Sequence, residues 1–560
     1  CTDDAETIGN YNLPNSVDAG TSTRFTNGNQ DVDSSGGGNS PFACTMAVTS
    51  GKYYWEVDLD TSGFNDGSVA VGIAHASTVY PGTSHFFGNL ATEEGWYAAG
   101  GSGVLRNNSS TTSYGVNASS GSTVMMALDM DNAKMWWGLD GTWFTNGSVG
   151  NPATGANAAP TSMSLAVPIK CAASAQSGDT LFHKFRPEQW DHTAPTGFKA
   201  WNTANLPAPT VTDPSDFITI KTLVNGSTPN TSFNTGFDSV GLIIAKRTDN
   251  TGGWEWFDIA RGATSLLQSN NDDGENIKSS NSFSGGTFNF DTNSNIGQAN
   301  TSHIVYSLKA GGAAQTIAAD EYSSGSPRVP CDVSAASHGG FSIVKYTSSG
   351  SPADGDKIAH GLGKTPDMII VKDIPTNGTE WEVYHKDEGD RFYLSTDAAA
   401  SGADVFNSGS GFDSNVFAIS NQNGVNRANT AHIAYCFART PGMVAVGSYT
   451  GNNDPDGTYV IVDDGASGFR PAWLLMKNVD DAENWVLMDS TRSPFNAVDG
   501  YLSTNTAAGD GSATGLPLDF TANGFKQRNN SNMTNEDTII YLAFAENPFG
   551  GSGVAQARAR

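Results

Sequence analysis

The residues best placed to do chemistry sit in an Asn/Asp-rich turn. Asn452, Asp454 and Asp456 alternate, Gly457 follows, and Asp463 lies a short distance beyond. Hard cations such as Ca2+ want carboxylate and amide oxygens at alternating positions, with a glycine to turn the backbone. Pro455 interrupts the run, and Asp463 stands where a calcium loop would close on Glu. An ordinary hairpin of Asn, Asp and Gly turn residues accounts for the same stretch. Calcium is therefore the lesser reading, and no other cofactor is expected. Asp58, Asp60, Ser62 and Gly63 repeat the pattern more weakly.

Other reactive types have weaker cases. His303 and His432 occupy matching places in NTSHIVY and NTAHIAY, where a later match reads NEDTIIY with Thr538 in register. A recurring ligand or general base would look like this, but a hydrogen-bonded structural histidine at a strand start does too, and is preferred. There is no HxH, HExxH or paired Cys/His spacing, so a zinc site is not expected. There is no GxSxG elbow and no phosphate-binding loop. With 57 carboxylates in the chain, no glycosidase-type pair selects itself, and the chain reads as a non-enzyme. The cysteines are Cys1, Cys44, Cys171, Cys331 and Cys436. Their odd number and irregular spacing argue against a disulfide framework, though an isolated pair stays open. Cys436 lies in the apolar run AHIAYCFA, as a small buried hydrophobe would. Folding in a reducing cytoplasm is expected.

The elements that must carry these residues are written three times. Residues 240–258 (VGLIIAKRTDNTGGWEWFD), 367–385 (DMIIVKDIPTNGTEWEVYH) and 472–489 (AWLLMKNVDDAENWVLMD) share one order: hydrophobic strand, Lys, polar turn, Trp-led strand. Second matches follow at 299–309, 428–438 and 535–545. Trp254, Trp381 and Trp485 lie 127 and 104 residues apart, and Tyr306, Tyr435 and Tyr541 lie 129 and 106 apart. Two landmarks with nearly the same spacing define an internal repeat of whole small domains, longer than solenoid units. The three Trp residues could be sugar-stacking platforms. Period-2 burial with Trp256, Val383 and Leu487 makes them core residues in the preferred reading.

The chain has 560 residues, 64 of them Gly, and a net charge of −27. Gly- and Asn-rich turns between short β-branched and aromatic runs indicate an all-β chain of sandwich or jelly-roll-like domains in tandem. No Lys/Arg cluster offers the footprint that phosphate-backbone binding needs, so nucleic acid is excluded as a partner. No run approaches 18 apolar residues, so no membrane-spanning helix is expected. The N-terminus CTDDAETIGN has neither the basic nor the apolar region of a signal peptide, and lacks Met, as a processed or partial chain would. The expected domains are 1–192, a Pro-rich linker at 193–212, repeats at 213–312, 339–440 and 441–549 with a connector at 313–338, and a flexible tail at 550–560.

The first domain resembles SPRY domains, which are bent β-sandwiches used mainly for binding. The residues that carry this are Gly51-Lys52-Tyr53-Tyr54-Trp55-Glu56-Val57, Val71-Gly72-Ile73-Ala74, Gly95-Trp96-Tyr97 and the hairpin from Asp129 through Trp136 and Trp137 to Trp143 and Phe144. Its loops depart from better-known members, so no ligand site is carried over. From the linker onward the chain is similar to structural proteins of tailed-bacteriophage virions, through His360-Gly361-Leu362-Gly363, Pro366, Ile369 to Lys372, Trp381, Val383-Tyr384-His385 and the ending NPFGG. The resemblance implies a tail fibre, spike or other exposed virion component, assembled in the host cytoplasm. It implies other virion proteins and a host surface glycan or receptor as partners, and a homo-oligomer, as trimeric fibres are. It brings no catalytic residues. The architecture expected is a rod or cluster of four β-domains. Trp96, Tyr97 and Trp143 on the SPRY-like face are the first candidates for sugar contact, with core packing as the alternative. A purely architectural capsid-decoration or tail protein is the runner-up, ahead of a polysaccharide depolymerase or a secreted lectin.

Overall fold

The computed structural model describes residues 10–35, 39–61, 69–80, 85–97, 103–176, 178–292, 294–319, 329–389, 391–402, 404–510 and 516–551. Cys1, Ser62, Gly63 and most of the expected tail lie outside them. The chain is all-β, as its composition requires; the one α-helix among the described residues is the single turn Asn423–Asn426.

The N-terminal region is a sandwich of a seven-stranded and an eight-stranded sheet. Trp55, Trp96 and Trp137 fill the space between the sheets. The Asp-Gly signal at 140–141 is a two-residue hairpin, with φ of 46° at Asp140 and 85° at Gly141. Positive φ at both positions is what a tight turn matched to strand twist demands. The Pro-rich segment after the sandwich is docked rather than free. Lys199–Ala200 adds a short parallel strand beside Lys52–Thr61. Trp201 is fully buried, with its ring 5.2 Å from those of both Tyr53 and Trp55.

Each cassette builds the same sheet. In the first, the order is Ile218–Val224, Ser302–Leu308, Leu242–Arg247, Trp254–Asp258 and Gly262–Leu267. In the second it is Phe341–Thr347, Ala431–Phe437, Met368–Asp373, Glu382–His385 and Phe392–Tyr393, extended outward by Cys331–Ala335 and Gln315–Ile317 from the connector. In the third it is Val444–Thr450, Thr538–Pro548, Phe469–Asn478, Val486–Asp489 and Tyr501–Leu502. A smaller sheet of two or three strands covers one face of each.

The central strands are buried on both faces, and period-2 alternation divides their side chains between two cores. Ile243 and Ala245 point into the first cassette's own sandwich, as do Ile369 and Val371, and Leu474 and Met476, in theirs. Leu242 and Ile244, Met368 and Ile370, and Trp473 and Leu475 point the other way, into one core shared by all three cassettes. A strand buried on both sides reads as an unbroken apolar run, which is why LIIA, MIIV and WLLM recur. The cavity left on the shared axis is about 30 Å3 with an apolar lining, the room of one water without partners to hold it.

The ring closes through directional bonds that run the same way round. Trp254 Nε1 donates to the Ser503 carbonyl, Trp381 Nε1 to Gln268 and Trp485 Nε1 to Tyr393, so each indole reaches the next cassette. The repeated lysines do likewise: Lys246 Nζ reaches the Ala507 carbonyl, Lys372 the Asp272 carbonyl and Lys477 the Asp397 carbonyl. The three repeated Trp residues are therefore core, and offer no face to a sugar. The third Tyr landmark needs correction. Strand register pairs Ile244 with Tyr306 and Ile370 with Tyr435, but Leu475 with Leu542. Leu542 thus takes the Tyr position, and Ile539 rather than Thr538 takes the His303 and His432 position. Tyr541 faces its own sandwich instead.

Trp381→Phe keeps a ring and removes the bond to Gln268; we expect a loss of about 1–3 kcal/mol in denaturant unfolding. Because the core is shared, fluorescence and circular dichroism should report one coincident transition for the three cassettes, and residues 339–440 expressed alone should not fold. Glu255 supplies a pH test. Burial raises its carboxyl to about 7, against backbone N–H donation from Ile296 that lowers it. The unfolded chain ionises first, so stability should fall as pH rises from about 4.5 to 7 and then level off. Glu255→Gln should flatten that slope and raise stability at pH 8 by up to roughly 3 kcal/mol, read from melts across pH.

Candidate functional site

The ring has three junctions, and two are built alike. Asp258 and Asp489 end equivalent strands. Asp258 accepts from Arg261 Nε at 2.6 Å and from the Tyr435 hydroxyl of the next cassette at 2.8 Å. Asp489 accepts from Arg492 Nε at 2.6 Å and from the Tyr306 hydroxyl at 2.9 Å. Both carboxylates are fully buried. Such a charge is tolerable only when paired and hydrogen-bonded. Burial and the facing carboxylate push both tyrosine hydroxyls well above their ordinary pKa.

The third junction has none of the three groups. His385 stands in the Asp position, Glu388 in the Arg position and Leu542 in the Tyr position. Burial lowers the His385 pKa to about 4, so the ring is neutral at pH 7. Beside this junction a cleft of about 430 Å3 opens between the second cassette, the third cassette and the N-terminal sandwich. His75, Ala76 and Ser77 form the sandwich wall.

The opposite walls carry the charge. Lys386 Nζ lies 2.7 Å from Asp387 and 3.6 Å from Asp463. Arg439 bridges Asp463, at 2.7 Å, and Asp367, at 3.1 Å. Burial would raise Asp387, but the Lys386 ammonium outweighs it and holds that carboxyl below its ordinary value. Burial raises Asp367 despite the guanidinium. The arrangement offers hydrogen-bond donors and acceptors of both charges, with no thiol or activated hydroxyl among them. Sequence reasoning missed Lys386, Asp387 and Arg439. The signal was available as a break in the repeat, where Asp-x-x-Arg at 258–261 and 489–492 becomes His-x-x-Glu at 385–388.

The sequence-derived candidates are placed elsewhere. Trp96 is fully buried and donates Nε1 to the Tyr114 carbonyl; Tyr97 is buried and its hydroxyl donates to the Phe87 carbonyl. Trp96 packs between the two sheets and Tyr97 on the other face of its own sheet with Tyr80 and Phe87, so neither presents a sugar-facing surface. Trp143 is half-buried against Tyr54. The calcium expectation also needs correction. Asn452 Oδ1 accepts from the Asp454 N–H and Asp454 Oδ1 from the Asp456 N–H, which are turn bonds. Asp456 pairs with Lys526 at 2.9 Å and Asp463 with Arg439, so cations of the protein already occupy these carboxylates. Among the described residues, Asp454, Asp456 and Asp463 form no group of converging ligand atoms. Asp58 is taken by Lys184 at 2.6 Å. His303 and His432 are buried, and burial lowers both to about 4.

Residues 213–548 match the family described as Domain of unknown function (DUF7483). The match spans more than half of the chain and all three cassettes, and the chain belongs to that family. No curated protein matches the sequence. Among solved structures the chain is similar to the SPRY domain of human HERC1, at 17% identity and a TM-score of 0.25, covering 30% of this chain and 96% of that one. It is also similar to the TRIM65 PSpry domain, at 16% identity and 0.24, covering 31% and 88%. A human SPRY domain matches at 18% identity and 0.24, covering 29% and 95%.

Arg439→Gln would leave Asp367 and Asp463 without their shared cation. We expect a stability loss of about 1–3 kcal/mol at pH 7, near the lower end because Arg439 is partly exposed. The variant's Asp367 carboxyl should sit still higher above its unfolded value. The penalty should therefore grow as pH rises through that raised native pKa and vanish in acid, where both states protonate; paired melts at pH 7 and pH 3.5 read this.

Proposed function

We propose that this chain is an exposed structural and adhesive component of a tailed-bacteriophage particle, a tail fibre or spike, which binds a host surface glycan or receptor without catalysing a reaction. The virion setting rests on the residues at 360–385 and the ending NPFGG, which resemble such proteins. The observation that carries the binding role is the charged cleft at the one junction where the ring lacks its buried Tyr–Asp–Arg group. A rigid scaffold with a polar recess fits recognition, since the walls need little ordering on binding. Lys386 and Arg439 would take a sugar carboxylate, and Asp387 and Asp463 would take hydroxyls. Several copies per particle, in a homo-oligomer set among other virion proteins, would multiply a weak contact.

A purely architectural role is the second reading. It is favoured by Phe495, Val224 and Ile277, which are 70%, 67% and 60% exposed and would suit cover by neighbouring proteins. Cryo-electron microscopy of the particle carrying this chain separates the two. Projecting copies with an open cleft, together with saturation-transfer signals from host envelope polysaccharide that Arg439→Gln abolishes, are the expected result. Copies lying flat with the cleft covered would leave only the architectural role. Release of reducing ends from that polysaccharide would make the chain a depolymerase instead.

A further inference from the structure

One cluster of ligand-type side chains lies outside the cleft, in the N-terminal sandwich. Cys44 on Ser40–Val48 and Cys171 on Ile169–Ala175 sit on neighbouring strands of one sheet. His183 on Asp179–Lys184 faces them from the other sheet. The two sulfurs and an imidazole nitrogen all lie within 4.8 Å of one another, and all three residues are buried. Both cysteines are free thiols. This is the only such group of three among the described residues.

A second observation concerns His183 alone. Its side chain is fully buried, yet neither ring nitrogen closes a hydrogen bond of good geometry. Burial lowers its pKa to about 3, against a weak opposing approach of the Leu181 backbone, so the ring is a neutral lone-pair donor at pH 7. Phe42 packs edge-on against the ring and Phe185 stacks on it, with centroids 5.5 and 6.1 Å away. These contacts fix the ring and leave its nitrogens in plane. Buried polar groups normally have partners, and an orphan points to an ion or water.

We propose that Cys44, Cys171 and His183 supply three ligands to one Zn2+ ion, with a water in the fourth position, that ties the two sheets of the sandwich together. Zn–S bonds of about 2.3 Å and Zn–N bonds of about 2.0 Å place donors within roughly 4 Å of one another, close to the separation already present. Each thiol gives up its proton to solvent on binding, and the imidazole gives none. Two thiolates and a dication sum to zero charge, which an apolar core accepts where a net charge would be costly. The ligands are far apart in the chain and show no zinc-finger spacing, so no local pattern marks them.

The three ligands are buried, so the full chain should be refolded under reducing conditions with Zn2+, desalted and assayed for metal. The expected result is about one zinc per chain, with an X-ray absorption shell of two sulfurs and two nitrogen or oxygen atoms. Cys44→Ala with Cys171→Ala should lose the zinc while keeping the β-sheet circular dichroism; Cys331→Ala with Cys436→Ala should keep both. If the first pair fails to fold, the wild-type absorption shell decides alone. A chain that refolds without zinc, a shell without sulfur, or a Cys44–Cys171 disulfide mapped by mass spectrometry of unreduced protein each overturns the proposal.

Discussion

Burial of the central strands on both faces is the constraint on which the repeat region depends. One face of each strand closes a small sandwich, and the other would be a wide apolar surface if the cassette stood alone. Three such surfaces are mutually sufficient. Packed around one axis they remove each other from water. The directional bonds from Trp254, Trp381 and Trp485 then fix the order and rotation of the ring, which hydrophobic contact alone would not. One chain thereby makes a threefold arrangement internally.

Near-symmetry makes the exceptions informative. At two junctions a buried Tyr–Asp–Arg group satisfies itself across the cassette boundary. At the third, His385 and Leu542 are buried without such a group, and the charged residues that follow His385 line a cleft. The N-terminal sandwich completes that cleft and is fastened to the third cassette beside it. Lys526 Nζ donates to the Val17 carbonyl, and Asn523 donates to the Thr45 carbonyl. The sandwich is part of the site's wall rather than a tethered bead.

Stability and function draw on different residue classes. The large aromatics, including those most attractive as sugar platforms, are committed to cores. Trp96 and Tyr97 show why: each is buried with a polar tip that finds a carbonyl, so neither needs water. The charged side chains around Arg439 stay at the cleft, paired chiefly with one another.

Local sequence determined the all-β class, the threefold repeat, the Asp140-Gly141 hairpin and the buried character of the repeated strands. These follow from period-2 patterning, turn residues and unbroken apolar runs, which act over a few residues. Sequence also placed the Lys and Trp landmarks correctly. It misplaced Tyr541 by one residue, because a one-residue slip is invisible until strand pairing shows which face each side chain takes. Tertiary structure alone decided that the cassettes close into a ring, that Asp463 meets Arg439 rather than a cation from solution, and that Cys44, Cys171 and His183 converge. Each of those depends on distances between segments far apart in the chain. Local pattern carries no information about such distances until the shared core fixes them.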